Sequence, residues 1–85
     1  MKVKIKLYGM LATKSKVSEF EVTLSECMNV RELVLNILKT LGIKGIKLEE
    51  LEDHVLILIN GKPPKPEVEI CGNEEIALLP PAVGG

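Results

Sequence analysis

An α+β fold, with one main helix laid across one face of a mixed sheet of four to five strands, is predicted by three observations. The N-terminal segment alternates strictly between lysine and aliphatic residues, a single stretch repeats its apolar residues at helical spacing, and two apolar runs in the second half have strand length and adjoin turn signals.

Each element can be justified in order. In Lys2 to Leu7 the residues Val3, Ile5 and Leu7 fall on one face and Lys2, Lys4 and Lys6 on the other, the period of a half-buried strand. Val17 to Leu24 predicts a second strand with Phe20, Val22 and Leu24 inward. Glu19 and Glu21 then point outward, so antiparallel pairing sets glutamates against the lysine row. Asn29 followed by Glu32 marks a helix start, because the Asn side chain accepts from an otherwise unpaired backbone N–H. Val30, Leu33, Val34, Ile37, Leu38 and Leu41 recur at helical spacing, and Gly42 ends the helix. Residues 43 to 53 read as a connection with one helical turn near Leu48 to Leu51. Val55 to Ile59 is an unbroken apolar strand closed by the Asn60-Gly61 turn. Prolines 63, 64 and 66 restrict the next segment to a short edge strand at Glu67 to Ile70. After a Gly72-Asn73 turn, Glu75 to Leu79 forms the last strand, with Ile76 and Leu78 inward and Ala77 and Leu79 on the opposite face.

A hairpin feeding one helix, with further strands closing the sheet, is the β-grasp arrangement. One helix covers one face only. Apolar side chains of the 55–59 run and Leu79 are left on the other face, which marks a docking surface. The chain divides into a body, residues 1 to 79, and an extended tail, residues 80 to 85.

Composition narrows the function classes. Eighty-five residues make one small domain, too small for a deep water-excluded active site. Tyr8 and Phe20 are the two aromatic residues, so the base-stacking platform of single-strand nucleic-acid binders is missing and no nucleic-acid partner is expected. Residues 1 to 48 carry nine Lys or Arg against four Glu, and residues 49 to 85 carry two Lys against eight acids. A split of +5 against −6 can steer a partner electrostatically. No apolar run reaches the roughly 18 residues of a membrane span, and the expected location is cytoplasmic, with no membrane partner. Cys27 and Cys71 lack the paired spacing of a zinc or redox site and are read as reduced, half-buried apolar residues. His54 is read as a surface residue opening a strand, and the adjacent Glu74 and Glu75 project to opposite faces and make no carboxylate pair. No metal site is expected.

The chemistry concentrates in the tail. Pro80-Pro81 stops the strand and holds an extended conformation, so PPAVGG leaves the body as an arm. Six extended residues reach at most roughly 20 Å, enough to carry a terminal carboxylate into another protein's active site. Gly84 and Gly85 have no side chain, so a narrow channel can admit them. A carboxylate is ionised at neutral pH and is a poor electrophile, so activation must precede attack, and an acyl-adenylate is the expected form. Sulfide transfer to that acyl group gives a thiocarboxylate, a tethered sulfur nucleophile whose delivery is effectively intramolecular once the body docks.

The segment ING at Ile59 to Gly61, with GNEEIALLPPAVGG at Gly72 to Gly85 and a weaker echo in VREL at Val30 to Leu33, resembles the MoaD/ThiS family of ubiquitin-like sulfur carriers. The double proline favours the MoaD branch, the small subunit of molybdopterin synthase, over the thiamine branch. The resemblance implies that an E1-like activating enzyme adenylates Gly85 with ATP, that a sulfur donor protein converts it to a thiocarboxylate, and that the tail inserts into the large synthase subunit. It implies no cofactor bound to the chain and no catalysis by the chain alone. Gly85 is then the acyl and sulfur site, Gly84 its spacer, and Leu79, Pro80, Pro81, Ala82 and Val83 the partner-binding segment. Asn73 stands where the family usually has an acidic residue, the tail reads PAVGG in place of PVxGG, and residues 9 to 16 lack the arginine often seen there. Two other readings stay open. In one, a target lysine attacks the activated Gly85 and the chain is a protein modifier, or the sulfur serves thiamine or tRNA thiolation; in the other, the body is a binding module with an idle tail.

Overall fold

The structure is a computed structural model that describes residues 1–81. Six strands and three helices run in the order β1 (Lys2–Leu7), α1 (Met10–Ser15), β2 (Glu19–Thr23), β3 (Met28–Asn29), α2 (Val30–Thr40), α3 (Leu51–His54), β4 (Leu56–Ile59), β5 (Glu69–Ile70) and β6 (Glu75–Leu79). A 3₁₀ turn at Leu48–Glu50 leads directly into α3.

Strands β2, β1, β6 and β4 form one mixed sheet in that spatial order, antiparallel except for the central β1–β6 pair, while β3 and β5 make a separate two-stranded ribbon. This is the β-grasp arrangement that the order of elements predicts. The strict alternation in β1 has its expected consequence: Val3, Ile5 and Leu7 are buried, and from β6 Ile76 and Leu78 lie beside Ile5 and Leu7 in parallel register. Helix α2 closes this face with Val30, Leu33, Val34, Ile37 and Leu38, all buried. Leu51 from α3 and Ile70 from β5 complete the core, both fully shielded from water.

The helix is fixed at both ends. Asn29 Oδ1 accepts from the N–H groups of Arg31 (2.9 Å) and Glu32 (3.2 Å), while Asn29 Nδ2 donates to the Pro66 carbonyl (2.9 Å). One side chain thus starts α2 and anchors the proline-rich crossing before β5. At the far end the N–H of Ile43 donates to the Leu38 carbonyl and that of Gly42 to Lys39, satisfying carbonyls that the helix leaves free. Arg31 in the first turn donates to both carboxylate oxygens of Glu52, at 2.7 and 2.9 Å, and to the Leu48 carbonyl at 2.6 Å. It ties α2 to the 3₁₀ turn and α3. The Asn60-Gly61 turn has the positive φ at both residues, 50° and 85°, that its sequence predicts.

Five expectations are corrected. Residues 9 to 16, where the sequence pattern predicts no element, contain a short helix at Met10–Ser15. The second strand begins at Glu19, and His54 ends α3 instead of opening β4. The edge strand is only Glu69–Ile70 and pairs with Met28–Asn29, not with the main sheet. Most consequentially, Cys27 and Cys71 are neither reduced nor half-buried: they form a disulfide, with a Cα–Cα distance of 4.2 Å, and both are exposed. The β3–β5 register explains the meeting. Met28 faces Ile70 and Asn29 faces Glu69, so the next residues outward, Cys27 and Cys71, are directly opposite. The bond from the Val30 N–H to the Val68 carbonyl sets the alternation that makes 27 and 71 a non-hydrogen-bonded pair, the type with the shorter Cα separation.

Candidate functional site

The face of the main sheet opposite α2 has two halves. On the β2–β1 side it is charged. Lys4 Nζ lies 3.2 Å from Glu19, and Lys6 Nζ lies 2.8 Å from Glu75. The lysine row is therefore met by glutamates, as the alternation predicts, although each ion pair joins diagonal neighbours and not the residues directly opposite. The hydrogen bond from Lys6 holds the Glu75 carboxyl below its ordinary value, and the same bond raises the Lys6 ammonium.

On the β6–β4 side the face is apolar. Leu56 stands opposite Leu79 and Leu58 opposite Ala77. Alternation from the buried Leu7 puts Tyr8 on this side too, and Tyr8 and Leu56 are 45% and 44% exposed, enough to leave apolar surface in water. The cause is in the sequence: β4 is an edge strand of four aliphatic residues, so its outward pair has no polar alternative.

The body holds the start of the tail at the end of this apolar half. The Tyr8 N–H donates to the Leu78 carbonyl (3.0 Å), continuing the β1–β6 ladder to the end of β6. The chain then reverses at Gly9, with φ 58° and ψ −136°, backbone angles open essentially to glycine. Pro80 lies across that reversal: a Cβ at position 9 would meet the Pro80 Cγ at 2.7 Å. Pro81 is half-buried and, with Met10, Leu11, Ile43 and His54, lines a groove of about 200 Å³. The two prolines therefore rest on the loop after β1 and on α1 and do not leave the surface at once. Helix α1, which the sequence pattern does not announce, forms one wall of this seat.

Of the residues that the sequence assigns to the site, Leu79 is half-buried on the apolar face and Pro80 and Pro81 lie at its end. Ala82, Val83, Gly84 and Gly85 fall outside the described residues. Glu74 and Glu75 have separate roles: the Glu74 carboxylate accepts from the N–H groups of Cys71 (3.2 Å) and Gly72 (2.7 Å), and Glu75 pairs with Lys6. His54 is exposed on the tail-root groove. Among the described residues no group of three or more His, Cys, Asp or Glu is placed to hold a metal ion, and no helix is long and apolar enough to cross a membrane.

A model of the ThiS family matches residues 5–85. Among solved structures, the protein titled putative molybdopterin converting factor, subunit 1, from Pyrococcus furiosus is similar at 27% identity, with a TM-score of 0.76 over 96% of this chain and 99% of that one. SAMP1 from Haloferax volcanii is similar with a TM-score of 0.80 and 22% identity over the whole of both chains. A chain of the complex of subunits 1 and 2 of the molybdopterin-converting factor from Helicobacter pylori is similar with a TM-score of 0.60 and 23% identity, again over the whole of both. No curated protein matches the sequence.

Proposed function

The chain belongs to the ThiS family of ubiquitin-like sulfur carriers, and from that membership we propose that it supplies sulfur for molybdopterin assembly as the small subunit of a molybdopterin synthase, loaded at Gly85. One observation carries the reading: the seat of Pro80-Pro81 adjoins the apolar half of the open sheet face. A partner that covers Tyr8, Leu56, Leu58 and Leu79 receives the tail at the border of the same interface, and the residues beyond Pro81 need only extend into its active site. The Pyrococcus furiosus neighbour, titled as a molybdopterin converting factor subunit, supports that branch.

The work of each part comes from its chemistry. An E1-like enzyme joins the Gly85 carboxylate to AMP with release of pyrophosphate from ATP, sulfide supplied by a sulfur donor protein displaces the AMP, and the resulting thiocarboxylate attacks the pterin precursor inside the large subunit. The chain itself orients and delivers, and delivery by docking replaces a bimolecular encounter with one of high effective concentration. No group on the body has to take part in the bond-making steps.

The test is reconstitution. Chain already loaded with sulfur, mixed with the large subunit and cyclic pyranopterin monophosphate, is expected to yield the dithiolene, and chain lacking Gly84 and Gly85 is expected to yield none. Loaded chain that binds the large subunit but leaves the precursor unchanged would move the sulfur to another acceptor. The modifier reading shares the activation step and differs at the next: it requires Gly85 in isopeptide linkage to target lysines, and three of the solved neighbours are titled small archaeal modifier proteins or SAMP1.

A further inference from the structure

The Cys27–Cys71 bond lies apart from the tail and its seat, and its surroundings are those of a reactive group. Both cysteines are exposed, although cysteine is among the most frequently buried residue types. The bond joins the outer ends of a ribbon only two residue pairs long, between the bend after β2 and the turn at Gly72-Asn73. Its sequence separation is 44 residues, and the loop it closes contains α2, α3 and β4. Strands β1 and β6, with the Gly9–Pro80 contact, lie outside that loop.

We propose that Cys27–Cys71 is a thiol–disulfide exchange site that a dithiol opens in the folded protein, and that its state sets how stable the body is without altering the seat of the tail. A thiolate of the dithiol attacks one Sγ and the S–S bond breaks. The electron pair leaves on the other cysteine, which takes up a proton. The second thiol of the reductant then displaces the first cysteine. The protein gains two electrons and two protons, and the reductant becomes a disulfide. The class of reductant is set by charge. The groove beside Cys27 is lined by Glu26, Glu32 and Glu69, against the one ammonium of Met1, which donates to the carbonyl of Leu24 in the same groove, so the balance is acidic and uncharged or cationic thiols approach more readily than anionic ones. Closing so long a loop restricts the unfolded chain, and opening it is expected to raise the unfolding constant roughly 30- to 1,000-fold. This inference does not depend on the sulfur-carrier reading.

The experiment uses the full chain, native, with dithiothreitol as the probe. Alkylation and then intact mass are expected to show both cysteines labelled without denaturant. The reduced chain is expected to keep its native circular dichroism and to melt lower by roughly 10 °C or more. The double variant C27S/C71S is expected to melt with the reduced chain and to ignore the reductant. Glutathione, which is anionic, is expected to open the bond more slowly than dithiothreitol at matched thiolate concentration, with the gap narrowing as salt rises. Three outcomes overturn the proposal: labelling only after denaturation, oxidised and reduced chains melting within about 2 °C of each other, or a reduced chain with no native signal. Equal rates for the two thiols would overturn the charge argument.

Discussion

Gly9 lies so close beneath Pro80 that an added Cβ would come within 2.7 Å of the ring's Cγ and 3.3 Å of its Cδ. Two positions 71 residues apart in sequence thus meet in space and together set the place of Pro80 at the end of β6. The relationship is one-sided, because Pro80 has a ring to place and Gly9 has only the absence of a side chain with which to make room.

Gly9→Ala is therefore expected to destabilise the body by about 1–2 kcal/mol, through the cost of φ +58° for a residue with a Cβ and through the push on the Pro80 ring. Urea denaturation measures the loss. If the seat of the prolines matters for delivery, sulfur transfer by this variant falls further than its folded fraction does.

Leu79→Asp tests the apolar half of the open face. Leu79 pairs with Leu56 on the side away from α2, so the variant is expected to keep its fold, with a melting temperature within a few degrees of the parent. On the proposed function it is expected to bind a large synthase subunit at least roughly tenfold more weakly, since one desolvated carboxylate in an apolar interface costs more than about 1.4 kcal/mol. Unfolding of the variant would make Leu79 a core residue. Binding titrations with circular dichroism separate the two.

Asn29→Ala removes the cap of α2 and the bond to the Pro66 carbonyl together. A loss of about 1–2 kcal/mol is expected in chemical denaturation. Hydrogen exchange should locate it at the start of α2 and at the N–H of Val30 and Val68.

Glu52 gives a pH signature. Its hydrogen bonds from Arg31 hold the carboxyl below the ordinary value of 4.5. A group whose pKa is lowered by folding stabilises the protein above its unfolded value, and that contribution drains away as pH falls through the folded one. The Glu52 side chain is 56% exposed, so solvent screening limits the pair to about 0.5 kcal/mol. Glu52→Gln is expected to flatten the acid limb of the stability profile below pH 4.5 and to cost little of the fold. Lys6 runs the other way: its raised pKa means that stability from the Glu75 bond is present below the ordinary 10.5 and is lost as pH rises through the higher folded value.

Much of this architecture is legible in the sequence wherever one element carries its own signal. The alternation in β1, the helical spacing after Asn29, and the Asn60-Gly61 turn each specify local geometry, and each takes the predicted form. The features that the sequence does not disclose depend on distant partners or on weak local signals. Helix α1 has six residues, no side-chain cap and no buried residue, so nothing in its composition sets it apart from a loop. The β3–β5 ribbon exists because Pro66 and Val68 are held against the start of α2, and no local pattern marks that. The disulfide depends on the ribbon's register, so it is hidden for the same reason. At the site, Pro80-Pro81 is visible as a strand stop, but its seat on Gly9 requires knowing that β1 and β6 are neighbours.

The central claim, that Gly85 is the group that carries sulfur, is tested most directly by top-down mass spectrometry of the full chain after incubation with its activating enzyme, ATP and a sulfur donor. The account predicts an ATP-dependent exchange of one oxygen for sulfur, with fragment ions placing it on the carboxyl of Gly85. Sulfur located on Cys27 or Cys71 in place of Gly85, or a mature chain that ends in a residue other than Gly85, would contradict it.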